Sequence, residues 1–430
     1  MTKTRTLLLV AVAAILVLGP LIGGSGLGRA SAETSDDIGP PTPGPIPVGT
    51  FGGIDYVQYD GVFEGETSTG AFRVPYRITA PANAAESNRT LVVEPSHFAI
   101  GLGALNRYLG SEFLLSRGFV HAGIGWSDVA NRILDPTVAG AFVQGGSRQY
   151  GGHTDHEIIS DFAQALVSDG DAIAMVGTTE RRYITGFSDS SDPVLGLVTS
   201  GLANDVFDFA IPFTAEKHDP QAALALGRFN GKVTVVNSEA ERPKRLLDSG
   251  VAPGQYRFYA VPGTPHVPDH LDSAAAPPTS PASFAPELRA RFLQGHAWVL
   301  TETSPPPSTH LLSAPGTALD RDANGNAIAV DTDGALVPRL PFIEVGEARF
   351  ISGFRGSYDT VRSMQELGFD SHADYLTAFS DRLTDHVAGG FILAEDAEDM
   401  RARAALCPPL TFTETYRDHY QRFVDIEACN

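Results

Sequence analysis

Residues 183–191 read Tyr-Ile-Thr-Gly-Phe-Ser-Asp-Ser-Ser. The first three residues predict a short strand, and an apolar stripe from Val194 to Leu202 predicts a helix shortly after it. Between the two lies a Gly-x-Ser-x-Ser motif centred on Ser188. Gly186 and Ser190 are small, so a strand and a helix can pack closely around a sharp turn at that serine. The stretch therefore predicts a strand-turn-helix unit that presents the Ser188 hydroxyl at the edge of a sheet.

Short apolar runs alternate with helix-period segments over the central part of the chain, and this alternation sets the fold class. Two earlier stretches, 54–63 and 71–79, alternate apolar with polar residues and predict antiparallel strands. The strand-helix order predicts an α/β fold with a mostly parallel sheet and helices on both faces. The apolar runs are 90–93, 119–124, 183–185, 206–211, 233–236 and 256–261.

A reactive serine needs a base to take its proton and an acid to orient that base. His266 follows the predicted strand 256–261, while Glu239 and Glu241 follow the strand 233–236. Active sites of open α/β sheets collect at the carboxyl ends of the strands. We expect Ser188 as nucleophile, His266 as base and Glu241, which lies further out on its loop, as acid. Glu239 stays open as the alternative acid.

The developing negative charge on a substrate oxygen also needs N–H donors. The N–H of Asp189, at the start of the predicted helix, is one candidate. A second donor is expected from the loop after strand 90–93. Since Pro95 has no N–H, that donor is Ser96 or His97.

The other histidines have weaker claims to chemistry. His270 is the nearest rival to His266, and His296 lies in a helical pattern and is expected to be structural. His153 and His156 lie in a Gly-rich stretch predicted as a loop, where they are solvated, packed or line a cleft. The long loops 127–156 and 267–283 are expected to form a cap over the active-site edge.

The segments around Ser188, at 238–241 and at 263–266 together resemble the α/β-hydrolase superfamily, in particular bacterial proteins called alpha/beta hydrolase domain-containing. Two further patches, 322–326 and 390–397, match a turn and a late helix of that group. The resemblance implies an α/β-hydrolase fold with Ser188, His266 and Glu241 as its triad. The group more often has Asp at the acid position.

Residues 320–326 also match the start of a calcium-binding loop, with oxygen-bearing side chains at alternate positions and Asp331 at the twelfth place. An Asn-Gly turn between short strands explains the same residues and is favoured.

Composition excludes several classes of protein. The chain has 430 residues, a net charge of −20 and 43% hydrophobic residues, so it can bury a large core and is not disordered. The acidic charge argues against binding to nucleic acid or to anionic lipid. Two cysteines, Cys407 and Cys429, are too few for a cysteine-rich zinc site, but they can pair in an oxidising compartment.

The N-terminus predicts export. Lys3 and Arg5 precede an apolar run from Leu7 to Ile22, and small residues follow up to Ala32. This pattern is typical of a secretory signal peptide, and an uncleaved membrane anchor is the alternative. The predicted division is a signal peptide at 1–32, a flexible leader at 33–49, an α/β-hydrolase core at 50–304 and an α-rich C-terminal extension packed on the core at 305–430.

The sequence thus predicts a secreted serine hydrolase that acts on a small-molecule or lipid-like carboxylic ester through an acyl-enzyme on Ser188. It needs no metal or organic cofactor, binds no nucleic acid and keeps no stable membrane anchor after signal cleavage. The alternatives are an amidase or peptidase on the same scaffold, or a non-catalytic extracellular binding protein.

Overall fold

The computed structural model describes residues 37–38, 44–68, 70–97, 102, 109, 111–126, 153–241, 246–267, 280, 282–313, 318–360 and 362–405. The predicted signal peptide, both cysteines, His270 and most of the two predicted cap loops lie outside these residues. Within the described ranges, none of the helices combines the length and the apolar character that crossing a membrane requires.

The strands are numbered in chain order. They are β1 (Asp37–Ile38), β2 (Ile46–Phe51), β3 (Ile54–Thr67), β4 (Gly70–Pro81), β5 (Thr90–Pro95), β6 (Val120–Ile124), β7 (Arg181–Phe187), β8 (Phe209–Phe213), β9 (Lys232–Ser238), β10 (Tyr256–Val261), β11 (Thr309–Leu311), β12 (Ala329–Asp331), β13 (Arg349–Ile351) and β14 (Ser357–Asp359).

The α-helices are numbered in the same way. They are α1 (Ser111–Leu115), α2 (His153–Ser168), α3 (Gly170–Val176), α4 (Ser191–Ser200), α5 (Gln221–Ala225), α6 (Ala285–Thr301), α7 (Pro341–Glu344), α8 (His372–Ala388) and α9 (Ala394–Ala404).

Strands β1 to β12 form one sheet, in which the order β1-β3-β4-β6-β5-β7-β8-β9-β10-β11-β12 runs from edge to edge and β2 pairs with β3. The pairs from β6 through β5 to β11 are parallel, and those among β1 to β4, β4 with β6 and β11 with β12 are antiparallel. The predicted α/β-hydrolase fold class, with its N-terminal antiparallel strands, is confirmed.

Successive side chains along a strand point to opposite faces of the sheet, so the strands contribute to two hydrophobic clusters, one on each face. In β7, Tyr183 packs on one face and Ile184 on the other. Helices α2, α3 and α4 cover the Ile184 face, and α1 and α6 cover the Tyr183 face. Helices α7, α8 and α9 of the predicted extension also pack on the Tyr183 face, so their apolar side chains share one cluster with the sheet.

Two predicted segments contain more regular structure than expected. Strands β1 and β2 lie in or begin within 33–49, the stretch predicted as a flexible leader, and both pair with β3. The extension at 305–430, predicted to be α-rich, also contains β13 and β14, which form a separate two-stranded sheet. The backbone hydrogen bonds of these short strands satisfy donors and acceptors that apolar packing alone would leave unpaired.

Sheet order and register bring the candidate site together. The chain runs from β5 outward to β6 and returns to β7 on the other side of β5, so the strand order reverses there. Crevices at such reversals, outside the carboxyl ends of the strands, are the usual ligand sites of α/β sheets. Phe187 pairs with Phe213, and Ser238 pairs with Val261, so the loops after these strands leave the sheet at matching levels.

Candidate active site

A strained turn links β7 to α4. Ser188 has φ 53°, a left-handed backbone conformation that non-glycine residues rarely adopt. A Cβ atom on Gly186 would lie 2.2 Å from the carbonyl oxygen of Ser190, so only glycine fits there. The Ser190 hydroxyl bonds to both the N–H and the carbonyl of Phe187, at 2.9 Å each. The serine in place of the more usual glycine therefore ties the turn together.

Three side chains form a continuous hydrogen-bonded chain. The Ser188 Oγ lies 2.8 Å from His266 Nε2, and His266 Nδ1 lies 2.7 Å from Glu241 Oε1. The Glu241 side chain is 1% exposed and that of His266 is 16% exposed. The structure thus brings Ser188, His266 and Glu241 together at one edge of the sheet, from the loops after β7, β10 and β9.

Glu239 lies elsewhere. Its carboxylate is fully buried and accepts the N–H of Gly263 at 2.7 Å and the guanidinium of Arg321 at 2.7 Å. These contacts tie the loop after β9 to the loop that carries His266. In the described structure Glu241, not Glu239, contacts the histidine.

The predicted oxyanion donors separate into two groups. The N–H of Ser96 donates to the carbonyl of Ile124 at 2.8 Å, extending the β5–β6 ladder, so it cannot also serve a substrate oxygen. The prediction for Ser96 is therefore wrong, and His97 and Asp189 remain as candidates. The His97 ring stacks on Phe187 and its Nε2 lies 2.6 Å from the Asp189 carboxylate, which joins the post-β5 loop to the serine turn.

His156 and His296 lie away from Ser188 and pack between elements of the fold. His153 and His156 belong to α2 and not to a loop, and His156 is buried against Gly196 of α4, so the suggestion that it lines a cleft is wrong. His296 Nδ1 lies 2.7 Å from the hydroxyl of Tyr183. Burial, with a smaller contribution from Arg181, lowers the pKa of His296, which favours its neutral form and fits the structural role predicted for it.

The calcium-like motif forms a turn. The Asp322 carboxylate accepts the N–H groups of Asn324 and Asn326, and Gly325 has φ 81°. Asp331 accepts two N–H groups of its own following turn. No cluster of three or more metal-binding side chains occurs in the part of the chain that the structure describes.

A cavity of about 640 Å³ opens over Ser188, a size suited to a small organic ligand. Several residues that line this cavity were not predicted from the sequence. Thr214 accepts the N–H of Ser188 at 3.0 Å from a left-handed backbone position directly after β8. Asp192, at the start of α4, pairs with the exposed Lys217 at 2.5 Å. The position of Thr214 directly after a strand was a usable signal for it, whereas nothing in the sequence placed Phe354, which lies far along the chain, near Ser188.

Several solved structures resemble the chain at low similarity. A protein described as a dienelactone hydrolase from Klebsiella pneumoniae is 14% identical, with a TM-score of 0.37, and the match covers 57% of this chain and 99% of that one. An S-formylglutathione hydrolase from Agrobacterium tumefaciens is 10% identical, with a TM-score of 0.33, and the match covers 50% of this chain and 88% of that one. An acetyl xylan esterase from Paenibacillus sp. R4 is 13% identical, with a TM-score of 0.33, and the match covers 51% of this chain and 83% of that one.

No curated protein matches the sequence. A sequence family described as an alpha/beta hydrolase domain matches residues 61–402, which include most of the sheet, all three residues of the hydrogen-bonded chain and most of the predicted extension. On this match, and in keeping with the fold, the protein belongs to the alpha/beta hydrolase domain family.

Proposed function

We propose that this protein hydrolyses carboxylic esters through an acyl-enzyme on Ser188. The observation that carries the proposal is the hydrogen-bonded chain from Ser188 Oγ through His266 to Glu241, with both links at 2.7–2.8 Å. The strained backbone at Ser188 supports it, since such strain persists where the surrounding structure maintains it, often at active sites.

Each residue of the chain has a distinct task in this proposal. Glu241 accepts a hydrogen bond from the N–H of His266 Nδ1, which holds the tautomer in which the Nε2 lone pair is free to take the proton of Ser188. The Ser188 oxygen then attacks the ester carbonyl carbon, and N–H donors such as that of Asp189 stabilise the oxyanion. His266 returns its proton to the alcohol oxygen as the carbon–oxygen bond breaks. Water, activated by His266, then releases the acid and restores Ser188.

The test compares esters and amides on three proteins. We expect the wild type to hydrolyse small esters faster than matched amides, and Ser188→Ala to lose a factor on the order of 10⁴ to 10⁶ in kcat. Ser200→Ala is the control, because Ser200 lies at the end of α4, away from Ser188, and its hydroxyl donates to the helix carbonyl of Leu197. Faster cleavage of amides would indicate an amidase, and equal activity of Ser188→Ala would contradict the proposal.

We also propose that the protein is exported. The support is the charged start, the apolar run from Leu7 to Ile22 and the small residues ending at Ala32. The test expresses the full chain in a bacterium and sequences the N-terminus of the protein found outside the cytoplasm. We expect that chain to begin at Glu33. Retention of Met1 in a membrane fraction would contradict cleavage.

A further inference from the structure

The loop that carries His266 rests on the C-terminal extension. A Cβ atom on Gly263 would lie 2.5 Å from the Ile343 side chain, and one on Gly356 would lie 3.0 Å from Pro265. The first close approach is with α7, and the second is with the loop 352–356, which joins β13 to β14. The loop and the His266 segment therefore pack without space between them.

Backbone hydrogen bonds fix the same contact. The N–H of His266 donates to the carbonyl of Gly353 at 3.0 Å, and the N–H of Val267 donates to that of Phe354 at 2.8 Å. Two consecutive donors are thus bound to two consecutive acceptors. This places the side chain of Phe354 in a defined position beside the imidazole.

The ring of Phe354 stacks on His266, with 5.3 Å between the centroids and 21° between the planes. Phe187 lies 5.2 Å from the same imidazole, so His266 contacts two aromatic rings. Phe187 is buried, but Phe354 is 67% exposed and lines the cavity over Ser188. Most of the Phe354 ring is therefore accessible to a ligand that binds beside His266, and the ring can contact an apolar part of that ligand.

The chemistry of the site decides which part of the substrate meets this ring. The following inference rests on the proposed function. His266 must deliver its proton to the oxygen of the leaving alcohol, so the alcohol portion of the ester lies beside the imidazole. The carbonyl oxygen points instead toward the N–H donors near Asp189. A group stacked on His266 is therefore next to the alcohol portion.

We propose that Phe354 is a specificity-determining residue that contacts the alcohol portion of the substrate and favours esters of apolar alcohols. The extension thus supplies one wall of the substrate cavity, although it lies about ninety residues beyond the histidine along the chain. Contact of an apolar group with an aromatic wall typically changes kcat/KM by about tenfold or more.

The test measures two series of esters on wild type and Phe354→Ala. One series keeps the acetyl group and varies the alcohol, as in methyl, butyl and benzyl acetate. The other keeps methanol and varies the acyl group, as in methyl acetate, butyrate and hexanoate. We expect Phe354→Ala to lower kcat/KM for benzyl and butyl acetate by about tenfold, with a change of about twofold or less for methyl acetate and for the acyl series.

Two controls keep the result interpretable. Leu336→Ala removes another exposed apolar side chain of the extension, one that does not line the cavity, and should leave both series unchanged. Phe354→Tyr keeps the ring and should retain the preference for apolar alcohols.

The inference is overturned if Phe354→Ala changes kcat/KM by the same factor for every ester. It is also overturned if the substitution changes the ratios of kcat/KM within the acyl series but not those within the alcohol series. In either case the wild type still hydrolyses esters, so the proposed function is not contradicted. If neither protein hydrolyses any ester of either series, the proposed function fails and the inference fails with it.

Discussion

Two glutamates only two positions apart occupy different surroundings. Glu241 bonds to His266 Nδ1, whereas Glu239 is enclosed by the Gly263 N–H and the Arg321 guanidinium. The first contact orients the imidazole of His266, and the second connects two loops through an ion pair whose carboxylate is buried. Their substitution should therefore change different properties of the protein.

We expect Glu241→Gln to lower kcat by about 10²- to 10⁴-fold with little change in the free energy of unfolding, because an amide can hold the imidazole in the wrong tautomer. Glu239→Gln should lower the free energy of unfolding by about 1–3 kcal/mol, because Arg321 loses its buried partner, and should change kcat less. Ester kinetics and urea unfolding of both variants test this. The opposite pattern would assign the acid role to Glu239.

For individual residues, the sequence predicts the kind of catalytic group better than the specific hydrogen-bond partner of each residue. Strand order predicts that Ser188, a glutamate and His266 meet, and the position of Glu241 further along its loop favours it over Glu239, in agreement with the contact seen. The error at Ser96 arises because the acceptor of its N–H, Ile124, lies on a neighbouring strand. The Gly-rich run before His156 suggested a loop, but packing on Gly196 extends the helix there.

The turn between β7 and α4 depends on one glycine. Gly186→Ala would place a Cβ atom 2.2 Å from the Ser190 carbonyl oxygen, which is backbone and cannot move aside. We expect a loss of about 3 kcal/mol or more in the free energy of unfolding, together with loss of activity. Gly254→Ala is the matched control, because its Cβ would meet nothing within 4 Å. Urea titration compares the two, and equal stabilities would contradict the account of the turn.

Strand β11 carries a pH-sensitive histidine. Burial lowers the pKa of His310, whose ring stacks on Phe258. As the pH falls below about 6.5, the unfolded chain binds a proton that the folded protein resists, so the free energy of unfolding decreases.

His310→Phe removes this titration and keeps an aromatic ring against Phe258. The variant should lose less stability than the wild type between about pH 7.5 and about pH 5.5. Chemical unfolding of both proteins across this range gives the difference directly. An equal or steeper loss in the variant would show that His310 does not contribute.

The elements that sequence patterns missed are the shortest ones. Strands β11 to β14 have three residues each, too few for an alternating pattern to be recognised. Their pairing depends on partners elsewhere in the chain, so tertiary contacts decide it. By contrast β3 to β10 have five residues or more each, and their existence was predictable.

At the scale of the whole molecule, an ion pair and apolar packing join the extension to the rest of the protein. Arg289 of α6 and Asp396 of α9 form a buried ion pair, each 6% exposed. Removing one partner would leave a charge away from water. The extension is thus held by charge as well as by the apolar cluster it shares with the sheet.

Asp396→Asn should therefore lower the free energy of unfolding by about 3–5 kcal/mol. Glu180→Gln, which breaks an exposed pair with Arg89, should cost about 1 kcal/mol or less. Urea unfolding measures both. Equal costs would mean that the buried pair contributes no more than a surface pair.

Sequence reasoning predicted the α/β-hydrolase fold and the edge of the sheet where the site lies. It did not predict that Phe354 reaches that edge. This contact depends on how β13 and β14 fold back over the His266 loop, and no spacing along the chain encodes it.

The central claim is that Ser188 is the reactive nucleophile, and labelling with a fluorophosphonate probe tests it most directly. Mass spectrometry of the labelled peptides should show one adduct, on Ser188, in the wild type and none in Ser188→Ala, while that variant keeps the wild-type unfolding transition. An adduct on a different residue, or none on the folded wild-type protein, would contradict the account.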